Sequence, residues 1–196
     1  MLIDIDHLVQ KYNMTISGVI HVGGHVGEEI PIYKKYTDKI HVFEPQEECF
    51  NSIDSTVNKY CVALGDKEDT LDLFVANNKQ SSSLLMPKEH LNQHPDVVFI
   101  GKRSVKVLPL DNFKINDCNF MNIDVQGYEL NVLKGSKKTL KHIDYIYTEI
   151  NITEIYQDCA LMSDLDKYLK EFTRVESVMC GNHGWGDAFY VKKSKL

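Results

Sequence analysis

The sequence predicts an α/β fold built on a mostly parallel sheet, and three observations carry that reading. Short apolar runs at residues 17–22, 39–43 and 59–64 alternate with segments of helical composition, the pattern of a sheet crossed by helices. Each run stops at a glycine or an acid (Gly23-Gly24, Glu44-Pro45, Gly65-Asp66), so the strand ends line up on one edge, where such sheets hold their ligands. The chain then closes with two further runs, 175–179 and 187–191, joined by a Gly-rich link at 181–186; this terminal hairpin makes one strand antiparallel to the rest.

Taken in order, residues 4–13 place Ile5, Leu8 and Val9 on one face of a short N-terminal helix within 1–16. Helical composition follows from Glu28 and again over 46–57, giving strand, helix, strand, helix, strand with right-handed crossovers. Residues 70–108 break the rhythm with an alternating run at 70–76, a polar stretch at 77–83 and two β-like runs around Gly101. They read as an insertion that covers the site. A fourth strand at 119–124, a helix at 128–139, a fifth strand at 143–150 and an amphipathic helix at 161–172 restore the pattern. With no repeat or linker, the 196 residues read as one domain.

A net charge of -6 and a pI near 5.7 argue against a general nucleic-acid or anionic-membrane binder, while leaving room for a local basic patch. No apolar run reaches the ~20 residues of a membrane span, and Met1-Leu2-Ile3-Asp4 lacks the basic start of a signal peptide, so a cytoplasmic protein is expected. The closing Ser194-Lys195-Leu196 matches a peroxisomal address and is read as coincidence. Five scattered cysteines without C-x-x-C spacing are expected to be reduced and structural.

The glycine loop and the acid after it point to a nucleoside ligand. Gly23, Gly24 and Gly27 clear the backbone for close approach, and Glu44 at the next strand's tip suits a pair of vicinal hydroxyls. The spacing departs from G-x-G-x-x-G, which weakens NAD without excluding it and leaves the looser loop of S-adenosylmethionine (SAM) enzymes as the alternative. Two more acids, Asp124 and Glu149, end buried strands, where a carboxylate needs a partner, a ligand or a raised pKa. Glu129 caps the turn or favours the helix dipole. His183, in the Gly-rich link, is the histidine best placed to reach a cleft. His90 and His94, at i, i+4 without a third ligand, read as an exposed helix face.

Several blocks together resemble one family. The glycine loop, VFEP, VALGD, SSSL, LPLDNF, IDVQGYELNVLKG and GDAFYV, spread from about Gly18 to Lys192, are similar to the FkbM-type SAM-dependent methyltransferases. The resemblance implies a class I methyltransferase fold: a three-layer, Rossmann-like, seven-stranded and mostly parallel sheet with an antiparallel C-terminal hairpin strand. It implies SAM as cofactor, with Gly23, Gly24 and Gly27 along the methionine portion, Glu44 on the ribose, and Ala63, Leu64 and Asp66 flanking adenine. Asp124 would stand near the transferred methyl. Where many members have Asp in a D-V-G-A block, this chain has His21, so the contact to the SAM amino group passes to another carboxylate such as Asp124. Gln126 replaces a frequent glutamate.

Methyl transfer to an alcohol needs alignment and a place for the proton. Asp124, Glu149 and His183 are the candidate bases, Asp124 first; a rival places Mg²⁺ on Asp124, Glu149 and Asn151. The expected acceptor is a sugar, glycan or other small molecule, walled by residues 77–108 and 151–163. The alternatives are a non-catalytic SAM- or nucleotide-binding scaffold of the same fold, or an NAD-binding module.

Overall fold

The computed structural model describes residues 1–196. Its strands are β1 (Val19–Val22), β2 (Ile40–Phe43), β3 (Asn58–Tyr60), β4 (Ala63–Leu64), β5 (Asp69–Ala76), β6 (Phe99–Leu108), β7 (Phe120–Ile123), β8 (Tyr145–Asn151), β9 (Phe172–Met179) and β10 (Trp185–Lys192). Its helices are α1 (Ile5–Lys11), α2 (Ile30–Tyr33), α3 (Glu47–Ser52), α4 (His90–Gln93), α5 (Glu129–Lys134) and α6 (Met162–Tyr168). None is long and apolar enough to cross a membrane.

Seven strands form the main sheet in the order β3-β2-β1-β7-β8-β10-β9. The pairs through β8 are parallel, and β10 runs antiparallel to both β8 and β9. The fold is therefore the expected α/β class, seven strands and terminal hairpin included. The central strands are apolar on both sides because both sides are covered. On β1, Ile20 and Val22 enter a core with Val132, Leu133 and Leu165, while Val19 enters another with Ile5, Leu8, Ile30 and Tyr33. Helix α1 starts where Asp4 caps it, its carboxylate accepting from His7 N–H at 2.9 Å.

The structure corrects four details. The run 59–64 is two strands: after β3 the chain turns at Cys61-Val62, and β4 pairs in parallel with β6, in a separate three-stranded sheet of order β4-β6-β5. Local apolarity cannot distinguish one strand from two when the second partner lies far along the chain. The two β-like runs around Gly101 are one strand, β6, paired antiparallel to β5. The helices are shorter than their compositions suggest; residues 128–139 yield only α5 before a loop. His90 is buried against Phe99 and Tyr156 instead of facing solvent.

Helix α5 ends where Gly135 touches the backbone of the strand beneath it. A Cβ there would sit 1.9 Å from the Gly65 carbonyl oxygen and 3.2 Å from Pro109 Cα. Gly101 has no atom within 4 Å of the same position. Gly135→Ala should lower stability by about 1–3 kcal/mol, the range for forced overpacking. Gly101→Ala should be neutral or stabilising by up to about 1 kcal/mol. Denaturant unfolding of the two variants checks the contrast, and equal effects would contradict this account of the α5 contact.

Candidate functional site

Two clefts open at the carboxyl edge of the sheet and meet at Asp124. The first is the narrower and is lined by Gly23, Glu44, Val62, Ala63, Leu64, Leu73, Leu84 and Tyr128, with Gln46, Lys79, Gln80 and Ser82 beside them. The close approach at Gly23 is built in: its φ is +84°, and a Cβ would stand 1.8 Å from the Asp124 carbonyl oxygen. Glu44 is buried, its Oε2 accepting from His25 N–H at 2.9 Å and its Oε1 from Gln46 N–H at 2.8 Å. Burial raises its pKa, and these N–H donors oppose the rise. Gln46 is held in turn by the insertion, accepting from Ser82 Oγ at 3.1 Å and donating to the Lys79 carbonyl at 3.1 Å.

The second cleft is a larger chamber of about 1120 Å³ that shares Gly23, His25, Gln80, Asp124 and Gln126 with the first. Its walls carry Glu28, Glu29, Glu149 and Asp187, with His21, His90, His94 and Trp185, and no lysine or arginine. Glu149 and Asp187 face each other across β8 and β10 in register. Asp187 accepts from Leu2 N–H at 2.5 Å and from the Tyr147 hydroxyl. His21 lies edge-on to Tyr33, 5.6 Å between ring centres, and burial lowers its pKa to about 4, so the ring is neutral at pH 7.

Gln126 organises the acids. Its amide nitrogen donates to Asp124 Oδ1 at 2.7 Å and to Glu149 Oε2 at 2.7 Å, while its Oε1 accepts from the Tyr156 hydroxyl at 2.9 Å. The residue sits at φ +56°, and its carbonyl accepts from Ser83 Oγ at 2.7 Å. Two carboxylates on one amide nitrogen, in a crowded site, cannot both ionise freely. Burial, then the charges of Asp124, Glu129 and Asp187, hold the Glu149 carboxyl well above the usual range. Asp124 is also raised, first by burial, with the Gln126 hydrogen bond pulling the other way. Beneath them Glu129 caps the turn, accepting from Val125 N–H at 3.1 Å and Gly127 N–H at 3.0 Å, its pKa pushed up to about 7 by burial.

Of the residues expected at the site, Gly23, Glu44, Ala63, Leu64, Asp124, Glu149 and His21 line one cleft or both. Gly24, Gly27 and Asp66 line neither: Gly24 packs on Val42 and Gly27 on Ile30. His183 stacks on His94, 4.8 Å between ring centres, outside the chamber. The Mg²⁺ arrangement does not fit, because the Gln126 N–H donors occupy the space between Asp124 and Glu149. Asn151 is wholly buried and lines neither cleft, with both amide atoms unpartnered. Gln46, Ser82, Ser83 and Tyr156 were legible only as polar or aromatic residues outside the strand ends. Only the SSSL block offered a signal for them.

Gln126→Glu would set a third carboxylate against Asp124 and Glu149. A group whose folded pKa is raised binds its proton more tightly folded than unfolded, so its stability contribution is lost as pH rises from the unfolded value through the folded one. The variant should be less stable than the parent by about 1–3 kcal/mol at pH 8 and by less at pH 5. Thermal unfolding at the two pH values checks this; a deficit independent of pH would contradict it.

Residues 21–175 match the methyltransferase FkbM domain. The 2-O-methyltransferase NoeI of Sinorhizobium fredii (strain NBRC 101917 / NGR234) is 32% identical over an alignment of 107 positions, covering 49% of this chain and 44% of that protein. The chain thus spans less than half the length of this relative. Among solved structures, methyltransferase FkbM from Methylobacillus flagellatus KT superposes with a TM-score of 0.59 at 14% identity, over 89% of this chain and 43% of that one. The N-methyltransferase NodS of Bradyrhizobium japonicum WM9, in complex with S-adenosyl-L-homocysteine (SAH), gives 0.53 at 7% identity, over 95% and 85%. At these identities the structural likeness shows the fold, and it is the sequence match across most of the chain that shows descent: the chain belongs to the FkbM methyltransferase family.

Proposed function

We propose that the protein is a SAM-dependent O-methyltransferase acting on a hydroxyl of a sugar, glycan or other small molecule. The observation that carries this reading is that one carboxylate, Asp124, lines both clefts. A cofactor in the smaller cleft and an acceptor in the larger would meet there. Oxygen as the acceptor atom is favoured by the 2-O-methyltransferase among the relatives.

The residues present fit SAM. Glu44 offers carboxylate lone pairs for ribose hydroxyls, Ala63 and Leu64 give an apolar flank for adenine, and Gly23 lines the same cleft. When bound, SAM supplies a methyl group on a sulfonium, a leaving group that needs no activation. The protein's own part is to orient the acceptor and take its proton. Asp124 is the group suited to that: Gln126 donates to Oδ1 only, and its raised pKa brings its basicity closer to neutrality. Burial pushes the Glu149 carboxyl well above its usual range, and Glu149 helps hold the Gln126 amide that bonds Asp124.

Calorimetry with SAM and SAH should show saturable binding, and Glu44→Ala should weaken it by about tenfold or more, the loss of charge-assisted hydrogen bonds worth about 1.5–3 kcal/mol. Binding of NAD but not SAM under the same conditions would overturn the reading. With an acceptor found by screening sugars and glycans for a SAM-dependent gain of one methyl, Asp124→Asn should lower turnover about 10²- to 10⁴-fold with SAM binding retained. Full turnover in that variant would remove Asp124 as the base.

A further inference from the structure

At the opposite edge of the sheet lies a hollow that the methyl-transfer reading does not use. It is lined by Lys137 after α5, Lys141 in the following 3₁₀ turn, Lys170 after α6 and Lys192 at the end of β10. Trp185, at the other end of β10, faces the acceptor chamber, so the two sites are separated by the length of a strand.

The hollow gathers lysines that lack carboxylate partners. Eleven lysines form ion pairs: Lys11, Lys34, Lys35, Lys39, Lys67, Lys79, Lys88, Lys102, Lys106, Lys167 and Lys195. The four that line the hollow form none, and only Glu171 among the lining residues is acidic. Lys192 is held in place, its ammonium donating to the Lys141 carbonyl at 2.7 Å and lying 5.9 Å from the centre of the Phe172 ring. The floor between the cations is apolar, from Leu140, Tyr168 and Phe172. In a chain of net charge -6, four lysines without carboxylate partners around an apolar floor form an open hollow able to take a small ligand.

We propose that this hollow binds a compact phosphate ester carrying an apolar group: the lysines hold the phosphate, and Tyr168 and Phe172 cover the apolar part. Lysines suit phosphate as point charges. The convergence of three separate segments, residues 137–141, 168–172 and Lys192, on one hollow favours a compact anion. The ester is either a free metabolite or a lipid headgroup, which share this chemistry.

Short-chain soluble phosphatidic acid should bind the full chain saturably, and more tightly than inorganic pyrophosphate, with affinity falling as salt rises. Combining Lys141→Glu with Lys170→Glu should weaken that binding at least about tenfold, with SAM binding unchanged as the check that the variant is folded. Co-sedimentation with phosphatidylcholine vesicles only when they contain phosphatidic acid supports the proposal with a lipid as the source. Soluble binding without co-sedimentation supports it with a free ester. Absence of saturable binding to either probe, or binding that survives the double substitution in a folded variant, would overturn it.

Discussion

One amide nitrogen bonded to two carboxylates is the constraint on which the site depends. Asp124 and Glu149 end adjacent parallel strands, so the sheet brings their side chains together whether or not their charges agree. Left alone, two acids crowded this closely would repel. The Gln126 amide satisfies an oxygen on each, and burial pushes both carboxyls upward, Glu149 well above its usual range. A glutamate at position 126 would add repulsion at the point where a neutral donor removes it. The substitution that looked in the sequence like the loss of a charge is therefore the feature that lets two other carboxyls share one site.

The small second sheet matters because it ties this pair to the first cleft. Ser82 reaches Gln46, which touches Glu44, and Ser83 reaches the Gln126 carbonyl. Tyr156 closes the arrangement, its hydroxyl lying 2.9 Å from both the Ser81 carbonyl and Gln126 Oε1. Adjacent serines on one loop thus bind the residue beside Glu44 and the residue between the two strand-end acids. Each serine is cheap in local terms, a hydroxyl that satisfies one buried group, but together they fix the geometry of both clefts.

Much of this was legible because strand ends carry a readable signal. An apolar run that stops at an acid places Glu44, Asp124 and Glu149 on one edge before any contact is known, and the mostly parallel pairing with one antiparallel strand follows from alternation and the closing hairpin. What stayed hidden depends on partners distant in the chain. The division of residues 59–64 follows from β4 pairing with Val107 and Leu108. His90 is buried by Tyr156 and Phe99, which its i, i+4 spacing to His94 cannot report. The part played by Gln126 requires Glu149, 23 positions on. Gly24 and Gly27, read as ligand-facing, are needed for packing against β2 and α2, a use of glycine that the sequence does not distinguish from the other.

The protonation state of the acid pair is the point on which the chemistry turns, and it is directly observable. Carbon-13 NMR of the side-chain carboxyls, with the Glu149 signal assigned through Glu149→Gln, follows the titration of that one group. The account predicts that Glu149 remains protonated at pH 7 and titrates well above the ordinary glutamate value of about 4.3. A Glu149 signal that titrates near that ordinary value would show two independent carboxylates and contradict the coupled pair held by Gln126.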